Sequence, residues 1–309
     1  MYQIAKPLFL LCQSPLHAGS GSDLGVVDLP IQRERHTDFP KIEGSSLKGS
    51  IRERFEQVLG DLKHNDLFMT FGPEDTEDTY AGALGFTDAR LLLFPVKSMR
   101  GVFAWITCPR ILSRFREDMR ICEIEDVPSI SGENLAVKGN KLYLREGDDR
   151  IVLDTSTFHM KKDSEKLQAW SKWLVNHLFG DDPQGYWAKK METDILVLSN
   201  DDFTDFVKLS TEVITRTKID NLTGTVEDGA LFTEEYLPAD SVMYSLILAS
   251  PVFPGTKEEK KRRRLNNESF KAEDVMDFFK TTLTNKANNR IQTGANATLG
   301  KGLIQTVLG

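Results

Sequence analysis

Residues 14–54 gather side chains that handle anions. His17 stands beside a Gly/Ser cluster, Asp28 is an isolated acid, and Ser45, Ser46 and Lys48 precede an apolar-periodic run. Between residues 31 and 54 six bases (Arg33, Arg35, Lys41, Lys48, Arg52, Arg54) face four acids (Glu34, Asp38, Glu43, Glu53). Polar, flexible segments add little to a core and commonly carry binding or catalytic groups. Bare amides, hydroxyls and cations together suit a polyphosphate partner better than an apolar ligand. Asp28 has three readings: a solvated turn residue, a base for the 2′-hydroxyl of RNA, or a ligand for a divalent ion at a phosphodiester. His17, alone after Pro15-Leu16, reads first as a structural hydrogen-bonding group.

The elements that must position these residues follow from periodicity. Residues 2–12 read as a buried strand, and 13–43 as a long connection without periodicity, the kind of loop that is usually functional. Ser45 or Ser46 is expected to cap a helix whose stripe is Leu47, Ile51, Phe55 and Val58 or Leu59, with Lys48 on another face. Three strands are expected at 83–86, 90–96 and 101–107, then a helix opened by Pro109 and running through 110–121. The acidic span 123–150 reads as an insertion with a small hairpin. A helix over 167–178 should turn Trp170, Trp173, Leu174 and His177 inward. A strand over 194–198 leads to a short helix capped by Asp201.

A hairpin with a long tip is expected from residues 213–232, then a strand at 241–250, a helix at 269–283, a glycine loop at 294–302 and a last strand at 303–308. Strands alternating with helices and insertions argue an α+β, split βαβ architecture.

Other motifs are weaker. GANATLGKGL, 294–303, resembles a phosphate-binding Walker loop, but five residues separate Gly294 from Gly300 and only seven follow Gly302. It reads as a tight turn, or as a loop whose amides and Lys301 approach a phosphodiester backbone. Ser45-Ser46-Leu47-Lys48 has the spacing of a serine-hydrolase motif without its partner elements, so a helix start is the better reading. KKRRR at 260–264 is a solvated basic loop or an RNA contact.

Composition sets the limits. The 309 residues can bury a full core, and 40% hydrophobic with 28% charged residues describes an ordinary globular chain. No apolar run reaches the roughly 20 residues of a membrane span. The N-terminus reads as a strand rather than a signal peptide. Cys12, Cys108 and Cys122 show no metal spacing, which fits a reducing compartment, the cytoplasm. A net charge of −7 argues against a simple nucleic-acid coat, so any such binding must use local basic surface.

Three segments together carry a family resemblance. LHAGSGSDLGVVDLPIQRERHTDFPKIEGSSLKG (16–49) resembles the N-terminus of the repeated backbone subunit of the type III-B CRISPR RNA-guided effector complex, a member of the RAMP superfamily. RTKIDNLTGTVEDGALFTEEYLP (216–238) is similar to that family's hairpin and following strand, and ATLGKGL (297–303) to its terminal glycine loop. The resemblance implies one RAMP-type domain: a modified ferredoxin-like, RRM-like palm from 1–109 and 239–309, a helical finger insertion from 110–210, and a thumb hairpin from 211–238. It further implies guide CRISPR RNA, single-stranded target RNA, head-to-tail copies of the chain and other subunits as partners, with no membrane.

By the same resemblance each thumb displaces a nucleotide, and Asp28 is required for metal-dependent cleavage of target RNA with Mg or Mn. His17, Ser46, Lys48, Arg33, Arg35, Arg216, Lys218, Gly300, Lys301 and Gly302 fall among its RNA-binding positions, with Asn221 and Thr223 also in the thumb. Attack by the target's own 2′-hydroxyl is the expected chemistry, with Asp28 as base or metal ligand and no general acid assigned. The alternatives are a purely structural guide-binding subunit and a guide-processing endoribonuclease of the same superfamily.

Overall fold

The structure, a computed structural model, describes residues 2–22, 25–60, 65–73, 81–137, 139–161, 164–220, 222–252 and 270–309. The basic run 260–264 and Asn221 lie outside the described residues.

β1 (Ile4–Cys12) is flanked on both sides, so Leu8, Phe9 and Leu10 are fully buried and the strand reads as a continuous apolar run. β2 (Lys41–Ile42) leads into α1 (Gly44–Leu59). There Leu47, Ile51 and Phe55 form the expected stripe, each buried completely. The helix starts earlier than the sequence suggests. Its N-cap is Glu43, which makes no side-chain cap, and the first amide, Gly44 N–H, donates to Asp88 Oδ1 at 2.9 Å. Asp88, 44 residues away, thus does what Ser45 or Ser46 was expected to do.

α2 (Asn65–Phe71) precedes β3 (Leu84–Phe86), β4 (Ala89–Lys97), β5 (Phe103–Thr107) and α3 (Pro109–Ile121), which starts at its proline as expected. The insertion holds β6 (Leu135–Ala136) and a hairpin of β7 (Arg150–Leu153) and β8 (Ser156–His159), later in the chain than expected. α4 (Glu165–Leu178), α5 (Tyr186–Thr193), β9 (Ile195–Val197) and α6 (Asn200–Leu209) complete it. Ser199, not Asp201, caps α6: its hydroxyl accepts from Asp202 N–H at 3.0 Å.

β10 (Glu212–Ile219) and β11 (Val226–Tyr236) form a separate two-stranded ribbon, with a register shift between Thr217 and Ile219. β12 (Val242–Ala249), α7 (Ala272–Thr281), a π-turn (Thr282–Lys286), β13 (Arg290–Gln292) and β14 (Leu303–Leu308) end the chain. Helices 65–71 and 186–193 and strand 290–292 carry too little periodicity to be read from the sequence.

In the main sheet β14, β1, β12 and β4 lie side by side, every pair antiparallel. As the first, second, third and fourth palm strands they run fourth-first-third-second, the ferredoxin-like order expected for an α+β fold. β5, β9 and β6 extend the sheet beyond β4, with β5 and β9 parallel. α1 and α7 pack through Phe55 and Phe279, ring centroids 5.5 Å apart. Phe115 of α3 covers the cross-strand pair Phe9 and Tyr244. Each such buried ring stabilises the fold by roughly 2 kcal/mol. Among the described residues no helix is long and apolar enough to cross a membrane.

Candidate functional site

The last residues of β11 organise the site. Thr233, Glu234, Glu235 and Tyr236 are consecutive, and each holds a different piece of the surrounding chain. Residues 16–17 and 28–31 line this strand end, with Leu16 and Leu237 exchanging backbone hydrogen bonds at 2.9 Å in both directions. Leu29 N–H donates to the Thr233 carbonyl, and Glu235 N–H donates to the Leu29 carbonyl, both at 3.0 Å.

Asp28 is exposed and fastened to Thr233. Its Oδ2 accepts from Thr233 N–H at 2.7 Å and from the Thr233 hydroxyl at 2.8 Å, while Asp28 N–H donates to that hydroxyl at 3.0 Å. The backbone and then the side-chain bond from Thr233 hold the Asp28 carboxyl below the usual carboxylate range. Oδ1 makes no hydrogen bond to another described residue, so the carboxylate is anchored by one oxygen and available by the other.

Glu234 is buried and satisfied by three donors: Arg216 Nε at 2.8 Å, the Tyr236 hydroxyl at 2.6 Å and Asn296 Nδ2 at 3.1 Å. Burial raises its carboxyl, but these bonds outweigh it and the net shift is downward. Burial and the neighbouring Glu234 push the Tyr236 phenol upward. Arg216 also donates to the Tyr236 hydroxyl at 2.8 Å, and Lys301 Nζ lies 4.8 Å from the centre of the Tyr236 ring. His17 packs 5.5 Å from that ring and hydrogen-bonds the Glu235 carbonyl through Nδ1 at 2.7 Å. A carbonyl only accepts, so Nδ1 carries the proton and Nε2 does not need one. His17 is 6% exposed.

The glycine loop closes this cluster. Gly300 and Gly302 both have positive φ, 72° and 71°, and Gly302 N–H donates to the Pro15 carbonyl at 3.0 Å. Ala295 N–H donates to the His17 carbonyl at 2.9 Å. The loop is therefore docked on residues 15–17 by main-chain bonds.

Of the residues singled out in the sequence, Asp28, His17, Arg33, Arg216 and Lys301 converge on residues 233–236, while Gly300 and Gly302 shape the loop that carries Lys301. Arg33 is there as a strut: its guanidinium pairs with Glu235 and donates to the carbonyls of Asp38 and Val207. The other positions stand apart. Lys48 is half-buried and donates to the Leu84 carbonyl at 3.1 Å; burial, then Arg52, lower its ammonium. Ser46 is exposed in the first turn of α1, its amide without a helical partner. Arg35 is exposed with no polar partner among the described residues. Lys218 pairs with Glu227 across the ribbon.

Sequence reasoning missed Thr233, Glu234, Tyr236 and Asn296. The run Thr-Glu-Glu-Tyr with two adjacent acids at a strand end was the available signal, since buried strand acids need partners. Arg216 lies 18 positions from Glu234 and Asp28 lies 205 from Thr233, beyond any local pattern.

Comparison with known proteins places the fold. Residues 9–305 match the family model described as the RAMP superfamily. Over 301 residues the chain is 34% identical to the CRISPR system Cmr endoribonuclease Cmr4 of Pyrococcus furiosus, covering 96% of this chain and 92% of that protein. The crystal structure of oligomeric Cmr4 from Pyrococcus furiosus is similar with a TM-score of 0.72 and 28% identity, over 99% of this chain and 98% of that one. A chain of the cryo-EM structure of the Type III-B Cmr-beta bound to cognate target RNA has the same fold: TM-score 0.70, 20% identity, 99% and 98% covered. With the palm order, the ribbon and the docked glycine loop all present across the matched length, the chain belongs to the RAMP superfamily.

Proposed function

We propose that this chain is a repeated backbone subunit of a type III-B CRISPR RNA-guided effector complex and an endoribonuclease that cleaves target RNA within it. The observation that carries the reading is an exposed carboxylate, Asp28, fixed by Thr233 beside a cluster that holds Arg216 and Lys301. Its similarity to the Pyrococcus furiosus Cmr endoribonuclease and to an oligomeric relative supports the same reading. Copies would stack head to tail along the guide RNA beside other subunits, a heterologous arrangement that extends rather than closes. Base pairing with the guide then supplies sequence choice, so the protein needs only backbone and shape contacts. This is compatible with a net charge of −7, because Arg35, Lys48 and the Ser46 amide supply local anion-binding groups.

Cleavage is assigned to attack by the target's 2′-hydroxyl on its neighbouring phosphate: the O2′–P bond forms as the P–O5′ bond breaks, leaving a 2′,3′-cyclic phosphate and a 5′-hydroxyl end, with the O2′ proton lost and the O5′ proton gained by exchange with water. Geometry carries much of it, through the ribbon 212–236 displacing a nucleotide so that hydroxyl and phosphate align. Asp28 serves this step through Oδ1, as base for the hydroxyl or as ligand for a divalent ion, while Thr233 holds Oδ2. Among the described residues no three-residue His, Cys, Asp or Glu cluster could hold a metal. One hard carboxylate oxygen nevertheless fits Mg or Mn, which often binds through one or two carboxylates with phosphate oxygens and water. Such an ion would supply charge neutralisation at the scissile phosphate. His17, packed beneath the ring of Tyr236, shapes the floor of the site. The three free, buried thiols fit the reducing cytoplasm.

The test is Asp28→Ala in the reconstituted complex. Assembly and target binding should persist while cleavage disappears. Cleavage at the wild-type rate would leave a structural guide-binding subunit instead.

A further inference from the structure

A carboxylate on a loop cannot act on a phosphodiester unless something rigid sets its position, because misplacement by about 1 Å costs up to roughly 100-fold in rate. The hydrogen bonds of Asp28 to other described residues all go to one residue, Thr233, and number three. The Thr233 hydroxyl donates to Oδ2 and accepts from Asp28 N–H, so its single proton and a lone pair are both committed. The Thr233 amide donates to the same oxygen. A β-branched side chain in a strand has restricted χ1, so this hydroxyl is held in place without other help.

Thr233 belongs to the ribbon and not to the main sheet. In the β10–β11 register it faces Thr215, and its amide and carbonyl point away from β10 toward Asp28 and Leu29. The short parallel pairing of Leu29 with Glu234 repeats the same attachment one residue along. The loop therefore takes its place from the ribbon.

Resting on the reading of Asp28 as the cleavage carboxylate, we propose that Thr233 is its positioning residue. The hydroxyl and amide of Thr233 fasten Asp28 Oδ2 to the base of the ribbon, so carboxylate and ribbon present themselves to RNA as one unit. Any nucleotide displaced by the ribbon then meets the carboxylate at a fixed offset. Valine matches threonine in shape and keeps the amide bond but removes the hydroxyl. Serine keeps the hydroxyl but not the branch.

The experiment uses the assembled complex with guide RNA, comparing wild type, Thr233→Val, Thr233→Ser and Asp28→Ala. Single-turnover cleavage at saturating target is measured separately from the Kd for target. Thr233→Val should cleave about 10- to 100-fold more slowly, as losses of residues that orient a reactive group do. Its Kd should stay within about twofold of wild type, placing the loss in the chemical step. Thr233→Ser should regain most of the rate. Wild-type cleavage by Thr233→Val, or a loss matched by weaker target binding, overturns the assignment, as does a serine variant as slow as valine. If Asp28→Ala itself still cleaves, the underlying reading falls. If Asp28→Ala is inactive and Thr233→Val is unimpaired, only the role of Thr233 falls.

Discussion

The guanidinium of Arg33 is paired with the buried carboxylate of Glu235, and its Nη1 donates to the carbonyls of Asp38 at 2.6 Å and Val207 at 3.1 Å. Two residues on, Arg35 is exposed and unpartnered among the described residues. Neighbouring arginines in one basic loop therefore do different work. Arg33→Ala leaves a buried anion without its cation and should destabilise the chain by about 3 kcal/mol. Arg35→Ala should leave stability unchanged and weaken RNA binding. Thermal unfolding and guide-RNA titration of the two variants separate these outcomes.

Lys48 gives an opposite split. Its ammonium is half-buried and lowered by desolvation and then by Arg52, with a carbonyl rather than a carboxylate as partner. A lysine lowered in the fold binds fewer protons than the unfolded chain. Its cost is present at neutral pH, and stability rises with pH toward the ordinary lysine range. Lys48→Met should thus stay within roughly 1 kcal/mol of wild-type stability, relief of the buried charge offsetting the lost Leu84 bond. Guide-RNA affinity should fall, and the log–log salt slope should shrink by about 1. Calorimetry and salt-dependent titration check both.

The glycine loop offers a steric contrast. Gly300 has φ 72° with open space beside it, so alanine there should cost about 1 kcal/mol of left-handed strain. At Gly302 the strain is the same, but a methyl would also run into the Thr293 carbonyl oxygen, whose residue donates its own N–H to the Gly302 carbonyl at 3.0 Å. Gly302→Ala should lose several-fold more stability than Gly300→Ala, as denaturant midpoints would show.

Thiol chemistry tests the core. Burial, then Asp240, pushes the Cys12 thiol up to about 12, and burial pushes Cys122 up to about 12 as well. Thiolate is the reactive form, so both should resist an aromatic disulfide reagent at pH 8 and react on unfolding. Rapid native labelling of either would contradict the packing of β1 and the end of α3.

How much of this was legible beforehand depended on distance along the chain. Leu47, Ile51 and Phe55 declare a helix by spacing alone, and Pro109 marks the start of α3 within a residue. The caps were misread because they are decided by competition: Asp88 reaches the α1 terminus from the turn between β3 and β4, and Ser199 outcompetes Asp201 by standing one step before the first turn. Asp28 was identifiable as a lone acid in a polar loop. That it rests on Thr233 was not, because 205 residues separate the two and nothing local encodes the pairing. Arg33 and Arg35 look alike in sequence, and the distant partners Glu235 and Val207 distinguish them.

The register shift between Thr217 and Ile219 has a consequence for how this molecule can be altered. Side chains alternate along a strand, so a one-residue slip of β11 would turn Glu234 toward Asp28 and Thr233 away. The irregularity sits between the ribbon's tip and residues 233–236, and it works as a slip joint. Lengthening or shortening the tip changes the reach of the ribbon without re-indexing its base. The tip can thus be lengthened, shortened or redesigned while the pairing of Asp28 with Thr233 keeps its register.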